Sequence, residues 1–174
     1  VRFTGLAGHA GTTPMGLRKD PGPAAAEAIL AVERICGPYG DLGGQDSLVG
    51  TVGRITTHPG AFNVIPGAVE VSVDVRAETS STRDAAADAI TREIEAIAAR
   101  RGLTVNVSLM QALAESPCDP DLTALLEAAV AETGQVARRL PSGAGHDAMV
   151  IADLCPTAML FIRCEGGISH NPRE

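Results

Sequence analysis

Aromatic side chains are scarce in this chain: its 174 residues include three Phe, one Tyr and no Trp. Little material is left for the stacking platforms on which single-stranded nucleic acids are held. Positive charge is also short, with 14 Lys and Arg against 21 Asp and Glu and a formal net charge of -7. Such a field opposes phosphate backbones, and the doubled arginines at 100–101 and 138–139 read as solvated faces. No nucleic-acid partner is expected. No apolar run is long enough to span a bilayer, and the first residues lack the charged and apolar regions of a signal peptide. No membrane partner is expected either, and the location is expected to be cytoplasmic. The chain does not begin with Met, which reads as a processed or excised piece of a longer protein. Cys36, Cys118, Cys155 and Cys164 are irregularly spaced, with no CxxC knuckle and no dense secreted framework, so they read as reduced thiols. A GxSxG elbow, a P-loop, an HExxH helix and a dinucleotide fingerprint are all missing, and the mechanisms they carry have no local support.

What the chain does have is aliphatic material: 45% of it is hydrophobic, mostly Ala, Val, Leu and Ile. This length holds one ordinary domain, or one small domain and a remnant of another. "VRFTGLAGHAG" reads as a strand running into a glycine-rich bend. "PGPAAAEAILAVERICG" follows as a helix, with Asp20 as its cap, Pro21 or Pro23 in the first turn and Gly37 near its end. Ile29, Val32 and Ile35 or Cys36 recur on one face of it. "LVGTVGRITTHPG" and "GAVEVSVDVRAE" are the next strands. In the second, Val69, Val71, Val73 and Val75 alternate with Glu70, Ser72, Asp74 and Arg76, which predicts one face on a core and Arg76 on the exposed or ligand-facing side. A helix follows with Ser81 as cap, Asp84 three residues on, and Ala86, Ile90, Ile94 and Ile97 as the buried stripe. "LTVNVSLMQ" closes the unit as a strand, with Leu103, Val105, Val107 and Leu109 on one face. The order is β-α-β-β-α-β, that of an α+β, ferredoxin-like split βαβ unit, complete by about residue 112.

Beyond that point the pattern changes. "SPCDPDLTALLEAAVAETG" reads as a helix capped by Asp119 or Asp121, with Leu122, Leu125, Leu126 and Ala129 inward. "RRLPSGAGHDAMVIADLCP" is a glycine-rich loop entering another helix, and "TAMLFIRC" is a short apolar strand before the "GGISHNP" loop. One strand and two helices do not satisfy the sheet edge they imply, so 113–174 reads as part of an α/β domain whose remainder lies elsewhere.

Three histidines stand in glycine-rich contexts: His9 in "AGHAG", His146 after Gly145 in "GAGHDA", and His170 in "GGISHNP". Glycine lets backbone approach a ligand closely, and an imidazole beside it can bind a metal or donate to a developing oxyanion. Each can equally be a polar loop residue, and Asp147 next to His146 can be a helix cap. His58, before Pro59, reads as structural. Asn63 precedes the Pro66–Gly67 turn, which breaks any parity argument linking it to the face of Arg76. Arg76 can grip a substrate carboxylate with two hydrogen bonds or pair with Asp74 across the surface.

Taken together, "GHAGTTPM...R.D", "FNVIPG", "VDVR", "SGAGHDA" and "GGISHNP.E" resemble the M20-type metallo-amidohydrolases, most closely the branch acting on N-carbamoyl-L-amino acids, allantoate and ureidopropionate. The resemblance spans nearly the whole chain. It implies that residues 1–112 are a lid or dimerisation domain and that 113–174 are the C-terminal portion of a metallopeptidase-like catalytic domain. It implies roles for six residues: His170 as a metal ligand, His9 as the histidine that reaches across a homodimer to the scissile carbonyl, Asn63 and Arg76 as substrate-holding residues, and Gly145 and His146 as pocket lining. Two divalent ions (Zn, Mn, Co or Ni) are implied for the full-length enzyme, with most of their ligands outside this chain, so the chain is expected to be inactive unless it associates with the missing half. The expected substrate is a ureido or amide compound bearing a carboxylate. Two alternatives stand beside hydrolysis of N-carbamoyl-L-amino acids: an allantoate amidohydrolase or M20 aminoacylase or peptidase, and a non-catalytic dimerisation or small-ligand-binding module.

Overall fold

The computed structural model describes residues 1–38, 47–168 and 171–172, which fall into two compact units, Val1–Glu115 and Ser116–Glu174. In the first unit the strands are β1 (Arg2–Thr4), β2 (Gly8–His9), β3 (Val49–His58), β4 (Val64–Ile65), β5 (Ala68–Arg76) and β6 (Thr104–Asn106). Helix α1 (Pro21–Cys36) lies between β2 and β3, and α2 (Ser80–Arg100) between β5 and β6. Four strands form one antiparallel sheet in the order β3-β5-β1-β6, and β2 pairs with β4 in a separate two-stranded ribbon.

The period-two pattern of β5 sets the sheet's orientation. Val69 and Val71 are buried, and Val73 and Val75 pack against the same core, which Phe3 of β1 completes at 0% exposure. Ala24, Ala25, Ala28, Ala31, Val32 and Ile35 of α1, with Ala86, Ile90, Ile94 and Ile97 of α2, supply the opposing layer. Small alanines allow the helices to lie close, while each fully buried Ile or Phe contributes about 1.5–3 kcal/mol. The expected stripe of α2 is the buried one; in α1, Ile29 is only half-buried and the alanines take its place. Glu70, Ser72, Asp74 and Arg76 remain on the other, polar face of the sheet.

Strand β3 carries a bulge: Thr51 faces Asp74 and Arg54 faces Ser72, so two residues on β3 stand opposite one on β5. The Arg54 N–H, displaced from the regular ladder, donates to Ser72 Oγ at 3.0 Å. At the end of β1 the chain turns against the segment leading into α1, where Leu6 N–H donates to the Lys19 carbonyl at 2.9 Å. Gly5 is required there, because a Cβ would stand 2.0 Å from the Lys19 oxygen.

Caps were partly legible. Asp20 accepts from Gly22 N–H at the start of α1, as its position predicts. For α2 the cap is Thr79, not Ser81: Thr79 is extended, and its Oγ1 accepts from Thr82 N–H. Ser81 already lies inside the first turn. The last strand is also shorter than the pattern suggests, with β6 ending at Asn106 and Val107 and Leu109 exposed, so alternation alone overstated it.

In the second unit, α3 (Pro120–Glu132) is capped by Asp119, which accepts from Asp121 and Leu122 N–H, and α4 is a single turn, Ala148–Ile151. Asp119 N–H donates to the Thr157 carbonyl at 2.7 Å. None of this unit's described residues is buried: Leu125 of α3 is 66% exposed, and Leu160, Phe161 and Ile162 are all exposed. The inward stripe and apolar strand expected here are therefore at most partly covered among the described residues, and "TAMLFIRC" pairs with no strand among them. Among the described residues, no helix is long and apolar enough to cross a membrane.

Candidate functional site

His9 ends β2, exposed, at the start of a tight turn. Its backbone carbonyl accepts from Thr12 N–H at 3.3 Å and Thr13 N–H at 3.1 Å. Gly11 N–H donates to His9 Nδ1 at 3.1 Å. A backbone amide can only donate, so Nδ1 must be the unprotonated nitrogen of the neutral ring, and the proton resides on Nε2. A Cβ at Gly11 would stand 3.4 Å from His9 Cε1, so this residue lies against the ring. The result is an exposed imidazole whose Nδ1 accepts from the backbone and whose Nε2–H is left to donate.

Asn63 comes to the same place. Pairing of Gly8 with Ile65 and of His9 with Val64 continues into a hydrogen bond from Ala10 N–H to the Asn63 carbonyl at 3.0 Å. Sequence parity could not connect these residues, because they belong to the β2–β4 ribbon, which no hydrophobic period announces. Phe62 beside Asn63 is fully exposed.

Arg76 stands elsewhere, at the far end of β5. Its Nε and Nη2 each donate to one oxygen of Asp74 at 2.9 Å, two residues away on the same strand face. The Arg76 hydrogen bonds hold the Asp74 carboxyl below the usual carboxylate range, and in turn raise Arg76. Both side chains are about half exposed, so the pair orients more than it stabilises. They line a shallow depression of about 390 Å³ with Val49, Thr51, Gly53 and Ser72. Eight residue steps separate Ala68 from Arg76, roughly 26 Å along an extended strand. The His9–Asn63 ribbon adjoins the Ala68 end, so the first unit brings His9 and Asn63 together and leaves Arg76 apart.

Gly145 and His146 are exposed in the second unit, where the His146 carbonyl accepts from Met149 N–H at 3.0 Å. Asp147 occupies the cap position of α4 without a side-chain capping bond. His170 lies outside the described residues. His58 Nε2 is 3.6 Å from Glu70 Oε1, with both side chains partly exposed. Among the described residues no group of three or more His, Cys, Asp or Glu stands together to hold a metal ion. The described part of the chain therefore does not fit a metal centre by itself.

Arg18 is the residue of this region to which sequence reasoning gave no role. Partly buried, it donates from Nε to the Thr13 carbonyl at 3.0 Å and from Nη2 to the Ala10 carbonyl at 2.6 Å. Its signal in the sequence is its place in the "GHAGTTPM...R.D" motif, behind a loop rich in Gly and Thr, and no periodicity marks it.

A family profile described as "Peptidase family M20/M25/M40" matches residues 7–174. The chain is 41% identical over 174 residues to an N-carbamoyl-L-amino-acid amidohydrolase of Pseudomonas sp. (strain NS671), an alignment covering all of this chain and 41% of that protein. It is 38% identical over 195 residues to allantoate deiminase 1 of Glycine max, again over all of this chain and 40% of the relative. Among solved structures, an amidase of the hydantoinase/carbamoylase family from Burkholderia multivorans superposes with a TM-score of 0.87 at 34% identity, over 98% of this chain and 40% of that one. The chain thus spans about two fifths of the length of these relatives.

Proposed function

The chain belongs to peptidase family M20/M25/M40, and from that premise we propose that the whole protein hydrolyses the ureido bond of N-carbamoyl-L-amino acids. Water adds to the ureido carbonyl, and collapse of the adduct releases the amino acid, carbon dioxide and ammonia. The observation that carries the reading is the exposed His9 Nε2–H, fixed as a donor by the Gly11 amide. A donor of that kind stabilises the oxygen as it gains negative charge.

Residues 1–112 are read as a ferredoxin-like lid and dimerisation domain, which the antiparallel order β3-β5-β1-β6 supports. Residues 113–174 are read as the C-terminal portion of the catalytic domain, which the unburied apolar side chains of the second unit support. Arg76 binds the substrate carboxylate, displacing or sharing the hydrogen bonds now made to Asp74. Asn63 supports the substrate near His9, and Gly145 and His146 line the pocket. Because His9 and Asn63 stand at the other end of β5 from Arg76, one small substrate meets both groups when a second subunit supplies one of them; a homodimer through 1–112 is therefore part of the proposal. Metal dependence accompanies the family reading, with two divalent ions in the full-length enzyme, His170 as one ligand and the remaining ligands outside this chain.

The test is turnover by the whole protein of N-carbamoyl-L-amino acids and allantoate, read as carbon dioxide and ammonia release, and of N-acyl amino acids, read as release of the free amino acid. His9→Ala should lower kcat about a hundredfold or more, the effect typical of a lost oxyanion donor. Turnover of none of these substrates, with metal bound, would reject catalysis in favour of a binding module. Allantoate is the second reading, motivated by the similarity to the allantoate deiminase of Glycine max; the ratio of kcat/KM for the two substrates decides between them.

A further inference from the structure

We infer that Arg18 is a positioning residue that fixes the tautomer and orientation of His9. The backbone from His9 to Thr13 is a single turn in which one carbonyl, that of His9, takes two amides. The carbonyls of Ala10 and Thr13 take no amide of this turn, and Arg18 bonds both. A guanidinium presents donors in one rigid plane, so two bonds to two carbonyls set their separation and tilt. The Gly11 N–H shares one peptide plane with the Ala10 carbonyl and points opposite to it, so the bond from Arg18 to that carbonyl bears on its direction. Arg18 therefore aims the Gly11 amide at His9 Nδ1, and through that bond keeps the proton on Nε2.

Lysine does not replace this function. Its ammonium is a point donor on a flexible stem and holds two diverging carbonyls without fixing the plane between them. Arg18 itself does not touch His9 by any of these bonds; its action runs through the backbone. The catalytic consequence rests on the oxyanion role proposed for His9, but the tautomer does not.

The deciding experiment observes the ring directly. In the whole protein with nitrogen-15 in its histidines, at mildly alkaline pH where imidazoles are neutral, long-range proton–nitrogen correlation reports which ring nitrogen is protonated, and His9→Gln identifies the signal. His9 should read as the Nε2–H form. Arg18→Lys and Arg18→Ala should shift it to a mixture of both tautomers. Circular dichroism confirms folding of each variant, and Arg18→Lys, which keeps the charge and most of the stem, serves if Arg18→Ala does not fold. An unchanged Nε2–H signal in a folded Arg18→Lys protein would overturn the inference. On the N-carbamoyl substrate, Arg18→Lys should lower kcat about ten- to a hundredfold, the scale of a small misplacement of a reacting group, and leave KM unchanged. If His9→Ala turns over as fast as the parent, the oxyanion proposal fails while the tautomer measurement still judges Arg18.

Discussion

The substrate-binding role proposed for Arg76 and its observed pairing with Asp74 call on the same geometry. Its fork already grips one carboxylate, that of Asp74, through two hydrogen bonds of 2.9 Å. A substrate carboxylate presents the same two oxygens, so the surface pairing and the binding role are not exclusive. Because the pair is half exposed, the internal bond is worth little, of order 0–1 kcal/mol, and a desolvated substrate can compete with it. Arg76→Ala in the whole protein is expected to reduce kcat/KM for N-carbamoyl-L-amino acids by about 2 kcal/mol or more, while affecting a carboxylate-free ureido analogue little. Equal losses on both compounds would assign Arg76 to the fold instead. His9 follows a different logic: its competence as a donor comes from one backbone amide, and that amide's direction from a loop that Arg18 and Gly11 define together.

Among the elements, the helices of the first unit were the most legible and the strand ends the least. Ala86, Ile90, Ile94 and Ile97 are buried as their spacing requires, since 3.6 residues per turn leave little choice of face. The cap of α2 was read two residues late, because Thr79, Ser80, Ser81 and Thr82 all offer hydroxyls and only the extended backbone of Thr79 selects among them. Thr79→Ala should therefore destabilise the first unit by about 1 kcal/mol in denaturant unfolding, whereas Ser81→Ala should change it by a few tenths at most. The reverse order would mean that the helix begins at a different residue. The β2–β4 ribbon went unforeseen because its strands, Gly8–His9 and Val64–Ile65, are too short for any alternation to register. Yet that ribbon is what joins His9 to Asn63.

For the molecule as a whole, the separation of His9 and Asn63 from Arg76 along β5 gives the proposed homodimer a specific test. If each site takes His9 from one subunit and Arg76 from the other, a mixed dimer of His9→Ala and Arg76→Ala chains contains one intact site. Random exchange between the two inactive variants should then restore about one quarter of the parent activity, as closed twofold pairing requires. No recovery after verified subunit exchange would place all the groups of a site within one subunit. The amino-acid sequence alone determined the order of the first unit's four sheet strands and two helices, the buried face of α2 and the family relation, because these depend on local periodicity and on motifs written contiguously. It also supplied the candidate residues. Only the tertiary structure decided which of them meet, since a hydrogen bond from Ala10 to Asn63, or from Arg18 to two carbonyls, depends on where the backbone returns in space and not on any spacing along the chain.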